Sequence, residues 1–74
     1  MDEVELNINH GVRDLNLCTD CVECEDKQGA LAYFKIVKTI INEYPDKTEY
    51  LNEKYQKVKI LYEAKFGKLE RELQ

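Results

Sequence analysis

The sequence predicts a mainly α-helical chain, built on an antiparallel hairpin of two helices at about residues 27–44 and 47–73. Apolar residues recur in both segments every three or four positions, which is typical of a helix with one buried face. Pro45 ends the first helix, because the residue before a proline avoids helical backbone angles. The connection is so short that the two helices must be antiparallel neighbours. We expect residues 1–26 to pack as an N-terminal arm or short β-hairpin across the open end of this single small domain.

The N-terminal arm carries a pattern of its own. Apolar and polar residues alternate from Val4 to Ile8, and this period of two predicts a short strand with one buried face. Residues 9–11 are typical of a turn, and residues 12–17 could return as the second strand of a hairpin. The alternation shifts after Asp14, so an irregular arm or a short helical turn is the alternative for this segment.

The first helix of the hairpin is clearest between Ala30 and Tyr44, where the helical spacing is regular. Two positions offer a start for it. Asp20 followed by Glu23 has the form of a capping box, in which two side chains bond to the first free backbone N–H groups. Asp26, which directly precedes residue 27, is the second candidate for the N-cap.

The second helix begins after Pro45, where Asp46 and Glu49 again form the pattern of a capping box. Its apolar stripe comprises Leu51, Tyr55, Val58, Tyr62, Phe66, Leu69 and Leu73. The mean step of about 3.67 residues argues against a left-handed two-stranded coiled coil. Gly67 is the weakest position, since glycine costs roughly 1 kcal/mol relative to alanine inside a helix.

The second helix is also longer than the first. About 27 helical residues span roughly 40 Å, so Phe66, Leu69 and Leu73 would extend beyond the end of the first helix. Burying three such side chains contributes on the order of 5–8 kcal/mol. We therefore expect either the N-terminal third or a second copy of the chain to cover them.

Three cysteines, Cys18, Cys21 and Cys24, are spaced three residues apart. Thiolates at this spacing, with His10 as the fourth ligand, predict a possible zinc site of the Cys3His type. Two alternatives stay open, of which buried free thiols packing as small hydrophobic groups are favoured. The other is redox or intermolecular disulfide chemistry, which the neighbouring acids disfavour because they oppose thiolate formation.

The charge of the chain is distributed unevenly. Residues 1–26 carry eight acids and one base, a net −7, although the whole chain has a net charge of −4. Direct nucleic-acid binding is not expected, since phosphate backbones require clustered basic charge. An acidic arm suits a partner protein with a basic surface. No apolar run is long enough for a membrane span, and an odd number of cysteines disfavours a disulfide framework, so a cytoplasmic setting is expected.

These features together predict a non-catalytic protein-interaction or regulatory module that acts through the helical hairpin and the acidic arm. No phosphate-binding loop or nucleophile–base pair points to an enzyme, and zinc is the only cofactor considered. A zinc-stabilised regulator and a structural homodimer formed through the C-terminal helix are the alternatives. The candidate partner-binding residues are the tyrosines outside the stripes and the overhanging apolar residues: Tyr33, Tyr50, Phe66, Leu69 and Leu73.

Overall fold

The computed structural model describes residues 2–73, and this part of the chain is mainly helical, as predicted. It contains no strand, so the predicted N-terminal β-hairpin is wrong. The helices follow one another as α1 (Glu3–Glu23), α2 (Lys27–Glu43), α3 (Glu49–Phe66) and α4 (Leu69–Leu73).

The first of these, α1, occupies the segment where the sequence predicted an arm or a hairpin. Its buried positions include Gly11, Leu15, Cys18 and Val22, which recur every three or four residues along the helix. Leu6, which the alternating pattern placed on the buried face, is 44% exposed. The helical pattern prevails because it extends through the whole segment, whereas the period of two covers only five residues.

Aspartates cap the first two helices. The Asp2 side chain accepts a hydrogen bond from the Glu5 backbone N–H at 2.8 Å at the start of α1. Asp26 does the same for α2, where its carboxylate accepts from the Gly29 N–H at 3.0 Å. Asp26 is thus the N-cap, and the capping box predicted at Asp20 and Glu23 is wrong, because both residues lie in the last turns of α1.

The connection between α2 and α3 differs from the predicted capping box at Asp46 and Glu49. The N-cap residue of α3 is Thr48, and its side chain does not bond to the start of the helix. Instead the buried hydroxyl donates a hydrogen bond to the Tyr44 carbonyl at 2.7 Å, which holds the turn to the end of α2. The threonine hydroxyl therefore bonds to a backbone carbonyl of the turn instead of capping α3.

The predicted helix 47–73 is broken at Gly67. This glycine has φ 91° and ψ −166°, a backbone conformation that residues with a Cβ rarely adopt. The chain turns there, and α4 returns against α2 and α3. The Glu63 carboxylate accepts from the Leu69 N–H at 2.9 Å, and Lys59 pairs with Glu70 at 2.6 Å, so both side chains hold the return in place.

The directions of the helices follow from a few contacts. Asn7 bonds to the Tyr44 hydroxyl, and Cys18 to the Ala30 carbonyl, so α1 and α2 run in opposite directions. At the other end of α1, Lys65 of α3 bonds to the Val22 carbonyl. Gly11, nearer the start of α1, lies against Leu51 at the start of α3, so these two helices run the same way.

The core lies between the three long helices and is centred on aromatic rings. Phe34 of α2 meets Tyr55 and Tyr62 of α3 edge-on, with ring centroids 5.4 Å apart in each pair. Such edge-to-face pairs add about 0.5–1.5 kcal/mol beyond the burial of their area. Gly11 allows α1 to come close, because a Cβ there would lie only 2.9 Å from a methyl group of Leu51.

Candidate interaction surfaces

The three cysteines lie on the second half of α1, in different environments. Cys18 is fully buried, and its thiol donates a hydrogen bond to the Ala30 carbonyl at 3.4 Å. Burial, and to a smaller extent the charge of the neighbouring Cys21, raises the pKa of the Cys18 thiol to about 12. Burial and the Asp26 carboxylate also raise the pKa of Cys21. Cys24 is exposed, so the three thiols face the core, the edge of the helix and the solvent in turn.

The predicted zinc ligands are not brought together. His10 is exposed on α1, eight residues before Cys18, which corresponds to roughly 12 Å along the helix. Within residues 2–73 no group of three or more His, Cys, Asp or Glu side chains is arranged to hold a metal ion. Zinc binding stays a prediction, and metal analysis of protein purified without chelator tests it directly.

The five predicted partner-binding residues fall into three environments. Tyr50 is 64% exposed, whereas Leu69 is completely buried. Tyr33, Phe66 and Leu73 are half-buried and pack against the core. The overhang that the sequence predicted is thus covered by the return of α4 onto α2 and α3. The end of α1 also reaches this region, because the Lys65 ammonium, next to Phe66, bonds to the Val22 carbonyl.

A second apolar surface lies on the outer side of α3, and the sequence reasoning missed it. Ile60 is 68% exposed and Leu61 48% exposed, and they share this side of the helix with Tyr50. The Lys54 ammonium lies over the Tyr50 ring, 5.8 Å from its centroid. The signal was present in the sequence, because Ile60 and Leu61 are large apolar residues that do not belong to the stripe of the predicted helix.

The C-terminal end of α1 carries a concentration of negative charge, here called the acidic end: Asp20, Glu23 and Glu25, all exposed. None of them forms an ion pair with another residue in the part of the chain that the structure describes. The last turn of α1 contains no basic residue. Compensation comes from α3, whose Lys65 ammonium donates to the carbonyls of Val22 at 3.2 Å and Glu23 at 3.5 Å.

An open groove of ≈ 470 Å³ lies beside the connection between α2 and α3. Its walls are formed by Ile41, Pro45, Asp46, Thr48, Glu49 and Asn52. These six residues include two carboxylates and no histidine, cysteine or lysine.

The function of this chain has to be argued from its own surfaces, because comparison with protein-family models, curated proteins and solved structures finds no match to it. None of the helices within residues 2–73 has the length and apolar character needed to cross a bilayer.

Proposed function

We propose that the chain is a non-catalytic cytoplasmic protein-interaction module, which binds a basic surface of a partner protein through the acidic end of α1. The supporting observation is the position of Asp20 and Glu23 in the last turns of that helix. The C-terminus of a helix carries a partial negative charge, and an acid placed there costs about 0.3–1 kcal/mol. Lys65 compensates the backbone carbonyls at this end, but no ion pair within residues 2–73 offsets the cost for either carboxylate.

Charges that oppose the local fold are a feature of functional sites, where stability is given up for binding. The acidic end also belongs to the most acidic third of the sequence, residues 1–26, with a net charge of −7. A surface of one sign steers a partner of the opposite sign and raises the rate of association. A protein with a basic surface is therefore the partner that the charge of this region favours.

Two further properties support the non-catalytic and cytoplasmic parts of the proposal. A nucleophilic cysteine needs a lowered thiol pKa, whereas burial raises the pKa of both Cys18 and Cys21. Cys18, Cys21 and Cys24 are all free thiols in the structure, which suits a reducing compartment.

The experiment compares partner capture by two triple variants of the immobilised chain. The first neutralises the acidic end, with Asp20→Asn, Glu23→Gln and Glu25→Gln. The matched control removes three exposed acids elsewhere, with Glu43→Gln, Asp46→Asn and Glu49→Gln. We expect the first variant to lose a basic partner that the wild type and the control variant both retain.

Salt provides the second arm of the test. The Debye length falls from about 10 Å at 0.1 M salt to about 3 Å at 1 M, so an electrostatic complex should dissociate as salt is added. Equal capture by all three proteins, or capture that does not depend on salt, would contradict binding through the acidic end.

A further inference from the structure

The outer face of α3 has the pattern of a helix-packing seam. Tyr50, Glu53, Lys57, Ile60 and Ala64 recur at steps of 3, 4, 3 and 4, the spacing of the contact positions in paired helices. All five are exposed, and Tyr50 and Ile60 are the most exposed large apolar side chains that the structure describes. This seam, as the five residues are called below, faces away from the buried positions of α3.

The order of residues along the seam is self-complementary. An apolar residue stands near each end, Tyr50 and Ile60, and two residues of opposite charge, Glu53 and Lys57, lie between them. Neither Glu53 nor Lys57 forms an ion pair with another residue within residues 2–73. When the same helix is laid antiparallel on itself, with the symmetry axis at the level of residue 55, Tyr50 meets Ile60 and Glu53 meets Lys57. The two-fold axis makes each of these contacts twice.

We propose that the seam is the interface of a homodimer, in which the α3 helices of two copies pack antiparallel about a two-fold axis. A two-fold interface requires that one surface patch be complementary to itself, and the seam meets this requirement at Tyr50 with Ile60 and at Glu53 with Lys57. Leu61 and Lys54 border the seam, and Leu61 adds apolar area beside it. The seam lies opposite the buried positions of α3, and α4 is held to α3 through Lys59 and Glu63, which are not seam residues.

The size of the seam sets the strength of the dimer. From Tyr50 to Ile60, the residues that meet in this register, the helix rises about 15 Å, and packed helices lie about 8–10 Å apart. One helix face of this length is smaller than the roughly 800 Å² per partner of a standard protein interface. We therefore expect a reversible dimer with a dissociation constant of about 10 to 100 µM rather than a permanent one.

The test is sedimentation equilibrium of the full chain at concentrations from about 10 µM to about 1 mM, spanning the expected dissociation constant. The wild type should approach twice the monomer mass of 8.7 kDa as its concentration rises. Ile60→Glu should keep the monomer mass throughout, because it places an unpaired charge in the apolar contact. The matched control is Ile36→Glu on α2, which is also exposed, at 46%, and should dimerise like the wild type.

Charge exchange tests the antiparallel register. Glu53→Lys places two lysines opposite each other at both symmetry-related contacts, and Lys57→Glu does the same with two glutamates. Each single change should weaken the dimer about tenfold or more, while the double change Glu53→Lys with Lys57→Glu should return it to near the wild-type strength. Circular dichroism should show unchanged helix content in all variants, because both residues are exposed.

Three results would overturn the proposal. A wild-type chain that stays monomeric at about 1 mM, far above the expected dissociation constant, has no such interface. A dimer that survives Ile60→Glu uses a different surface. A double charge exchange that fails to recover the dimer, with helix content intact, excludes the antiparallel register.

Discussion

Leu69 offers the clearest test of whether α4 returns to the bundle after Gly67. In the structure this side chain is completely buried, because Gly67 turns the chain and returns α4 to the bundle. Replacing a buried leucine with alanine costs about 2–5 kcal/mol, and a position so close to the end of α4 can partly collapse, so Leu69→Ala should cost about 2–3 kcal/mol. A chain of 74 residues has a typical unfolding free energy of roughly 4–11 kcal/mol, so the loss is large. The melting temperature should fall by about 10–20 °C.

The assay is urea denaturation followed by circular dichroism, at protein concentrations low enough to keep the chain monomeric. Ile60→Ala is the matched control, because it removes a large apolar side chain that is 68% exposed and should change the unfolding free energy by no more than about 0.5 kcal/mol. In one continuous helix, Leu69 would extend into solvent just as Ile60 does. Equal and small effects of the two substitutions would refute the return of α4.

Three further outcomes follow from single residues. Gly67→Ala should lower the unfolding free energy in urea by about 1–3 kcal/mol, because alanine is strained at a φ of 91°. No clash adds to this cost, since a Cβ there would meet no atom within 4 Å. An unchanged urea midpoint would contradict the turn. Tyr62 is fully buried, and its hydroxyl has no hydrogen-bond partner within residues 2–73. Tyr62→Phe should therefore leave the unfolding free energy in the same assay unchanged or raise it by up to about 1 kcal/mol. A decrease of more than about 1 kcal/mol would show that the hydroxyl does have a partner. Burial raises the pKa of Cys18 and of Tyr55 to about 12 in the folded chain, from 9.0 and 10.0. The unfolded chain therefore loses these protons at a lower pH than the folded chain, and the stability that the neutral forms contribute is complete below pH 9 and is lost as the pH rises toward 12. The urea midpoint should be lower at pH 11 than at pH 8. This decrease should be smaller in Cys18→Ala. An equal fall in that variant would exclude the thiol as a cause.

The parts of the fold that depend on regular periodicity could be predicted from the sequence. The first predicted helix, 27–44, matches α2 to within one residue, because a strong stripe, the Asp26 cap and Pro45 all agree. The start of the second helix was predicted to within two residues. Agreement between local signals is what makes a segment predictable.

The N-terminal third was mispredicted because two weak patterns competed there. Leu6 completes a short alternation with its neighbours, and residues 9–11 look like a turn. Gly11 is instead a helical position that allows close packing against Leu51, and this tertiary contact is not visible in the local sequence. A residue chosen for close helix packing can thus resemble a turn signal.

The candidate surfaces, like the fold, could be predicted from the sequence only in part. The acidic character of residues 1–26 is visible in the sequence, whereas its concentration at the negative pole of a helix depends on α1 being helical. The sequence singled out Tyr50, which is exposed, but also Leu69, which the turn at Gly67 buries. Ile60 and Leu61 lie outside the buried stripe, and a stripe predicts which residues are buried but not which of the others form a surface.

The acidic end provides the most direct test of the proposed function, through the unfolding free energy of the Asp20→Asn, Glu23→Gln double variant. If these carboxylates serve binding at a cost to the helix, their neutralisation should raise the unfolding free energy at low salt by about 0.5–1.5 kcal/mol, while the basic partner is no longer captured. A double variant that is less stable than the wild type, or one that is more stable and still binds the partner, would contradict the assignment of the acidic end to binding.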